Sequence, residues 1–235
     1  MNKNKHLALI ASSLPLLFLS ISTFGQNVCH KKPYQQWSYD EAVHIIADSP
    51  WAKFERLSDV LYVYSTNIRL HSALPIRQAL VRRKQIRMNY DNFTATDKVK
   101  FDSAVQEALE CPDCAKYYIL TLSIIPTDQK VLGLLTGLSL DKLTQYVFLA
   151  NDKGDRRNLV KFIPPTGGGS NALFFENAVF YFERYDEQGK PLLTIDNKKL
   201  YFSIDEKVFK GKLVPPISKV SFEASKLICN GKIVF

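Results

Sequence analysis

Beyond its leader the sequence has no uncharged apolar run long enough to span a bilayer, no low-complexity tract and no linker rich in Pro, Gly or Ser. The first absence removes an internal anchor, since a spanning helix needs about 20 apolar residues. The others exclude long disorder and leave no sign of a domain boundary. Histidine is scarce, four in all, and none stands at ligand spacing from the single CxxC, so zinc has poor material. No serine sits in a nucleophile-elbow pattern. The stretch from Pro164 to Asn171 has three glycines but no following Lys, and strand patterns flank it on both sides. It reads as a hairpin loop and not as a phosphate cradle. Hydrolytic, zinc and phosphate-loop classes therefore lack their signatures, and no cofactor is expected.

What is present begins with a leader. Met1 to His6 carries Lys3 and Lys5 and no acid, Leu7 to Ser22 is uncharged, and Thr23 and Gly25 put small residues at −3 and −1 of a cleavage site before Gln26. Basic start, short apolar middle and small-residue exit are the three parts of a secretory signal. Pro15 breaks the run, and Gln26-Asn27-Val28 before Cys29 is not a lipoprotein pattern. The expectation is a signal over 1–25, a single domain over 26–235, a secreted or periplasmic location, and no membrane span once the signal is gone. Of the formal charge of +8, the leader holds two lysines, which leaves +6 on the remainder. That mild excess suits an anionic polymer or simply keeps the chain soluble.

Ser38 followed by Glu41 forms a capping-box pattern, with Ala42, Val43, Ile45 and Ile46 as the buried stripe of a first helix that Ser49-Pro50 closes. Leu57 to Ile68 alternates like a strand, Pro75 opens a second helix running to about Met88, and Thr96-Asp97 opens a third through Phe101, Val105 and Leu109. Tyr117 to Ile125 reads as a buried strand and Leu140 to Leu143 as a short helix. Strand patterns then follow at Tyr146–Ala150, Leu159–Ile163, Leu173–Arg184, Leu192–Ile195, Leu200–Ile204 and Leu227–Phe235, with turn residues between them. Helices mainly in the N-terminal half and a largely antiparallel sheet in the C-terminal half make the expected class α+β.

Cys29, Cys111, Cys114 and Cys229 all remain after signal removal, an even number in an oxidising compartment, with three possible pairings. Cys111-Pro112-Asp113-Cys114 admits a local disulfide or a redox site. In redox proteins of this motif a helix follows the pair. Here a helix ends at about Glu110, so its negative end would raise the Cys111 pKa. Cys229 lies in a strand-like run, where a bridge and an inert buried thiol are both open.

Arg77, Arg82, Arg83 and Arg87, with Lys84, crowd the second helix as a possible contact for an anionic partner. Arg77 stands in the first turn, where a cation is unfavourable, which suggests a carboxylate partner or a ligand role. Export makes nucleic acid an unexpected partner. His30, His44 and His71 are isolated, and His44 reads as a packed residue.

Several stretches together resemble a group of uncharacterised secreted proteins of Acidobacteria-type bacteria. They are Trp37-Ser38 leading to Asp48-Ser49-Pro50-Trp51-Ala52-Lys53, Ser72 through Ala79, Tyr117-Tyr118-Ile119, Asn171 through Phe175, and the ending from Phe222 to Ile233. The likeness implies export and one domain. It carries no activity and no catalytic residue, and the cysteines are not part of it.

The sequence thus favours a non-catalytic envelope binding or assembly module, with an unknown envelope protein or anionic polymer as partner. A thiol-disulfide oxidoreductase using Cys111 and Cys114 is the alternative.

Overall fold

In a computed structural model the chain is described over residues 32–58, 63–125, 133, 135–165, 178–209, 219–229 and 231–235. The expected signal, Cys29, His30, most of the Pro164 to Asn171 loop and the start of the expected Leu173–Arg184 strand lie outside these residues.

Helix α1 (Tyr39–Ala47) starts where the capping box places it. The Ser38 hydroxyl accepts from Glu41 N at 3.2 Å, and a Glu41 carboxylate oxygen accepts from Ser38 N at 2.7 Å. Ala42, Ile45 and Ile46 are buried, Val43 only half so. After Ser49-Pro50 the chain enters a hairpin, β1 (Ala52–Ser58) and β2 (Val63–Leu70), where the sequence pattern suggests one strand from Leu57. Helix α2 (Leu74–Arg87) has Pro75 in its first turn, where a missing N–H costs nothing. Helix α3 (Ala95–Glu110) is capped by Thr94, two residues before the expected start, and Cys111 closes it. Phe101 and Val105 of α3 meet Val81 of α2 in a satellite cluster.

Strands β3 (Tyr117–Ile125), β4 (Val147–Asn151), β5 (Arg156–Ile163), β6 (Ala178–Glu183), β7 (Lys199–Ile204) and β8 (Lys219–Glu223) complete the ladder, with the short helix α4 (Leu140–Thr144) before β4. The order is β1-β2-β3-β6-β5-β4-β7-β8, every pair antiparallel. The longer helices come early and most strands late: the class is α+β. A small hairpin, β9 (Ile228–Cys229) and β10 (Lys232–Ile233), replaces the single strand expected near the end. Leu192 to Ile195 is not a strand but a turn-rich segment that buries Leu192 and Leu193. No described helix is long and apolar enough to cross a membrane.

Strand β5 is the corner of the fold. Its first residues pair with β4, those from Leu159 on pair with β6, and the register slips between Leu159 and Lys161. A bulged strand shared in this way lets one half of a ladder fold over the other. Ring positions show that it does. Strands β6 and β7 lie three strand spacings apart along the ladder, roughly 14 Å if flat, yet Phe180 and Phe182 of β6 stand 5.4 and 6.1 Å from Phe202 of β7. The first sheet (β1-β2-β3-β6) and the second (β4-β7-β8) therefore face each other across a shared core. Ile68, Leu70, Tyr118, Leu120, Leu122, Phe180 and Phe182 from one meet Val147, Leu149, Phe202, Val220 and Phe222 from the other. Each such side chain contributes about 2–3 kcal/mol by leaving water. Trp51, fully buried, donates its indole N–H to Val234 O at 3.0 Å and ties the first hairpin to the C-terminal segment.

The outer faces differ. On β2, Asn67 and Arg69 point away from the core and donate to Ala47 O and Ile46 O of α1, so the helices cover the first sheet. On the second sheet, alternation puts Phe148, Tyr201, Arg156 and Lys219 outward.

Candidate functional site

Helix α3 ends at Cys111, whose backbone is left-handed at φ 47°, a conformation an L side chain rarely adopts. A 3-10 turn over Pro112–Ala115 follows and brings Cys114 back to Cys111 with their sulfur atoms bonded. Cys111 is half-buried. Cys114 is 6% exposed and packs on Ile119, Val179 and Tyr181 of the outer face of β3 and β6. Asp113 reaches Lys161 at 4.0 Å, and Lys161 lies 4.4 Å from the Tyr181 ring centre.

Arg77 is the residue that sequence reasoning left out of this site. Its Nε donates to Leu109 O, in the last turn of α3, at 3.0 Å; its NH1 donates to Ser72 O and to Cys114 Sγ, the latter at 3.2 Å. The cation that is unfavourable at the start of α2 thus serves the negative end of α3, where free carbonyls need donors. Its partners are carbonyls and a sulfur, not the carboxylate the sequence suggests. Burial, with Arg184 adding, pulls its pKa down to about 10, which leaves it charged at neutral pH. The helix end alone would oppose a thiolate. Arg77 sets a positive charge against Cys114 Sγ, of the sign that a thiolate there would need.

The other arginines of α2 do not join Arg77 on one wet face. Arg82 is half-buried and donates to Trp37 O at 2.8 Å, Arg83 is half-buried, and Arg87 alone is exposed. Arg83 is felt instead by Arg69, whose pKa burial lowers to about 10. His71 lies in the same layer. Burial first, then Arg77 and Arg69, hold its pKa down at about 4, so it is neutral at pH 7. His44 is exposed on α1, not packed.

Cysteine pairing goes further than the local bridge. Cys229 is disulfide-bonded too, with a partner that is not among the described residues, and no described cysteine is free. Among the described residues no three His, Cys, Asp or Glu side chains gather as a metal site.

A second constellation sits on the open face of the second sheet. The Arg156 guanidinium lies 3.8 Å from the centre of the Phe148 ring, and Lys219 Nζ lies 4.1 Å from that of Tyr201. Register adds Lys199 to the same face and sets Glu223 beside it, where Glu223 is neutralised by Lys226 at 3.0 Å. None of these was singled out in the sequence. The alternation in β7 and β8 is the available signal, but the sequence reading assigns no element to residues 219–223.

The chain matches no protein-family model, no curated protein and no solved structure.

Proposed function

We propose that this is a non-catalytic binding module of the cell envelope, secreted or periplasmic, that grips an anionic polymer with the outer face of β4, β7, β8 and the start of β5. The observation that carries the reading is the pair of cations laid on exposed-side aromatic rings, Arg156 on Phe148 and Lys219 on Tyr201. A ring that holds its cation restricts that side chain before a ligand arrives, so less entropy is lost on binding. Lys199 adds charge of the same sign, and the one carboxylate set there by register is already paired. Export itself rests on the three-part leader. Paired cysteines among the described residues support it, since disulfides persist in oxidising compartments.

The test uses polyphosphate and a polyuronate as probes, with neutral dextran as control, at low and high salt. The wild-type chain should bind both polyanions and not dextran, and added salt should weaken the binding. Arg156→Ala with Lys219→Ala should weaken it about tenfold and flatten the salt dependence. Equal binding by wild type and double variant, or equal binding to dextran, would sink the reading. Cell fractionation that leaves Met1 on the product and the thiols reduced would remove its location.

A further inference from the structure

We infer that the Cys111–Cys114 bridge is an exchangeable disulfide: a partner thiol attacks Cys111, and Cys114 leaves as a thiolate held by Arg77. The inference stands independently of the polymer-binding face.

Access fixes the direction. Cys111 is half-buried at the end of α3, whereas Cys114 is 6% exposed beneath Arg77 and against Ile119, Val179 and Tyr181. An incoming thiolate can therefore meet only the Cys111 sulfur. Leaving-group stability points the same way, because exchange is faster and goes further when the departing sulfur is the better thiolate. The buried guanidinium 3.2 Å from Cys114 Sγ supplies that stabilisation through a charge-assisted hydrogen bond. Cys111, by contrast, sits at the negative end of α3 and gains nothing as a thiolate.

The backbone adds a second reason. Cys111 is held at φ 47° and ψ 74°, in the left-handed region, without being Gly or Asn. An L side chain in that region is less favourable than in an extended or right-handed one, and the bridge closes a small ring through this residue.

The step balances without a further reagent. The electron pair of the attacking thiolate forms a new S–S bond to Cys111, the Cys111–Cys114 bond breaks, and its pair goes to Cys114 Sγ. Charge moves from donor to Cys114 and no proton is transferred. A second thiol of the donor, ionised, can then displace Cys111, so that the donor ends as a disulfide and both protein sulfurs are reduced. The substrate class is a dithiol, or two equivalents of a monothiol.

The experiment takes the oxidised, folded chain in glutathione buffers of graded ratio, quenches with acid and maps the thiols by tandem mass spectrometry. Glutathione should appear on Cys111 and not on Cys114, with the fold intact by circular dichroism. In Arg77→Gln, which keeps donors but drops the charge, the equilibrium should shift toward the disulfide about tenfold, or about 30 mV for two electrons. Glutathione on Cys114, reduction only in denaturant, or an unshifted equilibrium in Arg77→Gln would each overturn the inference, the last two in favour of a purely structural clamp. Should Arg77→Gln fail to fold, the wild-type map decides alone.

Discussion

Over the first sheet two cations are covered: Arg69 of β2 donates to Ile46 O of α1, and Arg77, on α2 itself, is occupied with Leu109 O, Ser72 O and a sulfur. On the second sheet Arg156 lies in the open over Phe148. The inner faces of the two sheets are alike in being mainly aliphatic and aromatic. The difference outside shows one side chain used in two ways. Covered, the guanidinium finishes the backbone bonding of a helix and a loop and takes a desolvation cost visible in the depressed pKa of both arginines. Uncovered, it keeps its hydration and remains available to a partner.

The largest expected effect comes from acid, and it acts on the covered side. Burial, with Arg77 and Arg69 adding, holds the folded pKa of His71 down at about 4 against the ordinary 6.5. Between those values the unfolded chain takes up a proton that the folded chain refuses. Its contribution is therefore fully present above pH 6.5 and is lost as pH falls toward 4. From pH 7 to 4.5 this one group should remove about 2 kcal/mol of stability, on the scale of 1.36 kcal/mol per pKa unit. Urea melts at both values measure it. In His71→Gln the difference between the two pH values should shrink by about that amount; an unchanged difference would mean that His71 is not held neutral.

Nearly as large is the loss of Arg77. Arg77→Ala leaves Leu109 O and Ser72 O without their donor and opens a void, each costing on the order of 1–3 kcal/mol. Relief of a desolvated cation offsets part of this. A net destabilisation of about 2 kcal/mol is expected in denaturant melts. If Arg77→Ala proved neutral, the covered arginine would be no more structural than the open one. A smaller change should follow at the cover itself. Ser38→Ala removes half of the capping box on α1 and should cost about 1 kcal/mol, read as a fall in melting temperature.

Which parts of this arrangement could be read in the sequence depends on distance along the chain. The capping box at Ser38 and Glu41 is local, three residues apart, and the structure has it as expected. Pro75 and the apolar run Tyr117–Ile125 are legible for the same reason. Strand β1 was missed because it is an edge strand: Phe54, Glu55 and Arg56 are exposed, so no buried alternation marks it. Leu192 and Leu193 misled in the opposite sense. They are buried without belonging to a strand, and Leu193 N donates to the Tyr118 hydroxyl instead of to a ladder. The α+β class survives such errors since it depends on the majority of elements. The candidate sites do not. Arg77 and Cys114 are 37 positions apart and meet only when α2 and the end of α3 pack side by side. The Arg156–Phe148 and Lys219–Tyr201 pairs require a strand register that no local pattern contains.

The smallest stability effect should be at the open face, and that is its diagnostic value. Arg156→Ala removes a cation from a ring at the surface, with no buried carbonyl left behind. Surface changes away from caps and cores stay within about 0.5 kcal/mol, and a cation–π pair in water contributes about 0.5–1 kcal/mol at most. Melts of Arg156→Ala should therefore superimpose closely on the wild type. The same variant combined with Lys219→Ala should still lose polyanion affinity. Stability unchanged with binding impaired is the signature of a contact residue, whereas Arg77→Ala should show the reverse. If Arg156→Ala instead cost as much as Arg77→Ala, the open cation would be holding the second sheet together, and the contrast between the two faces would disappear.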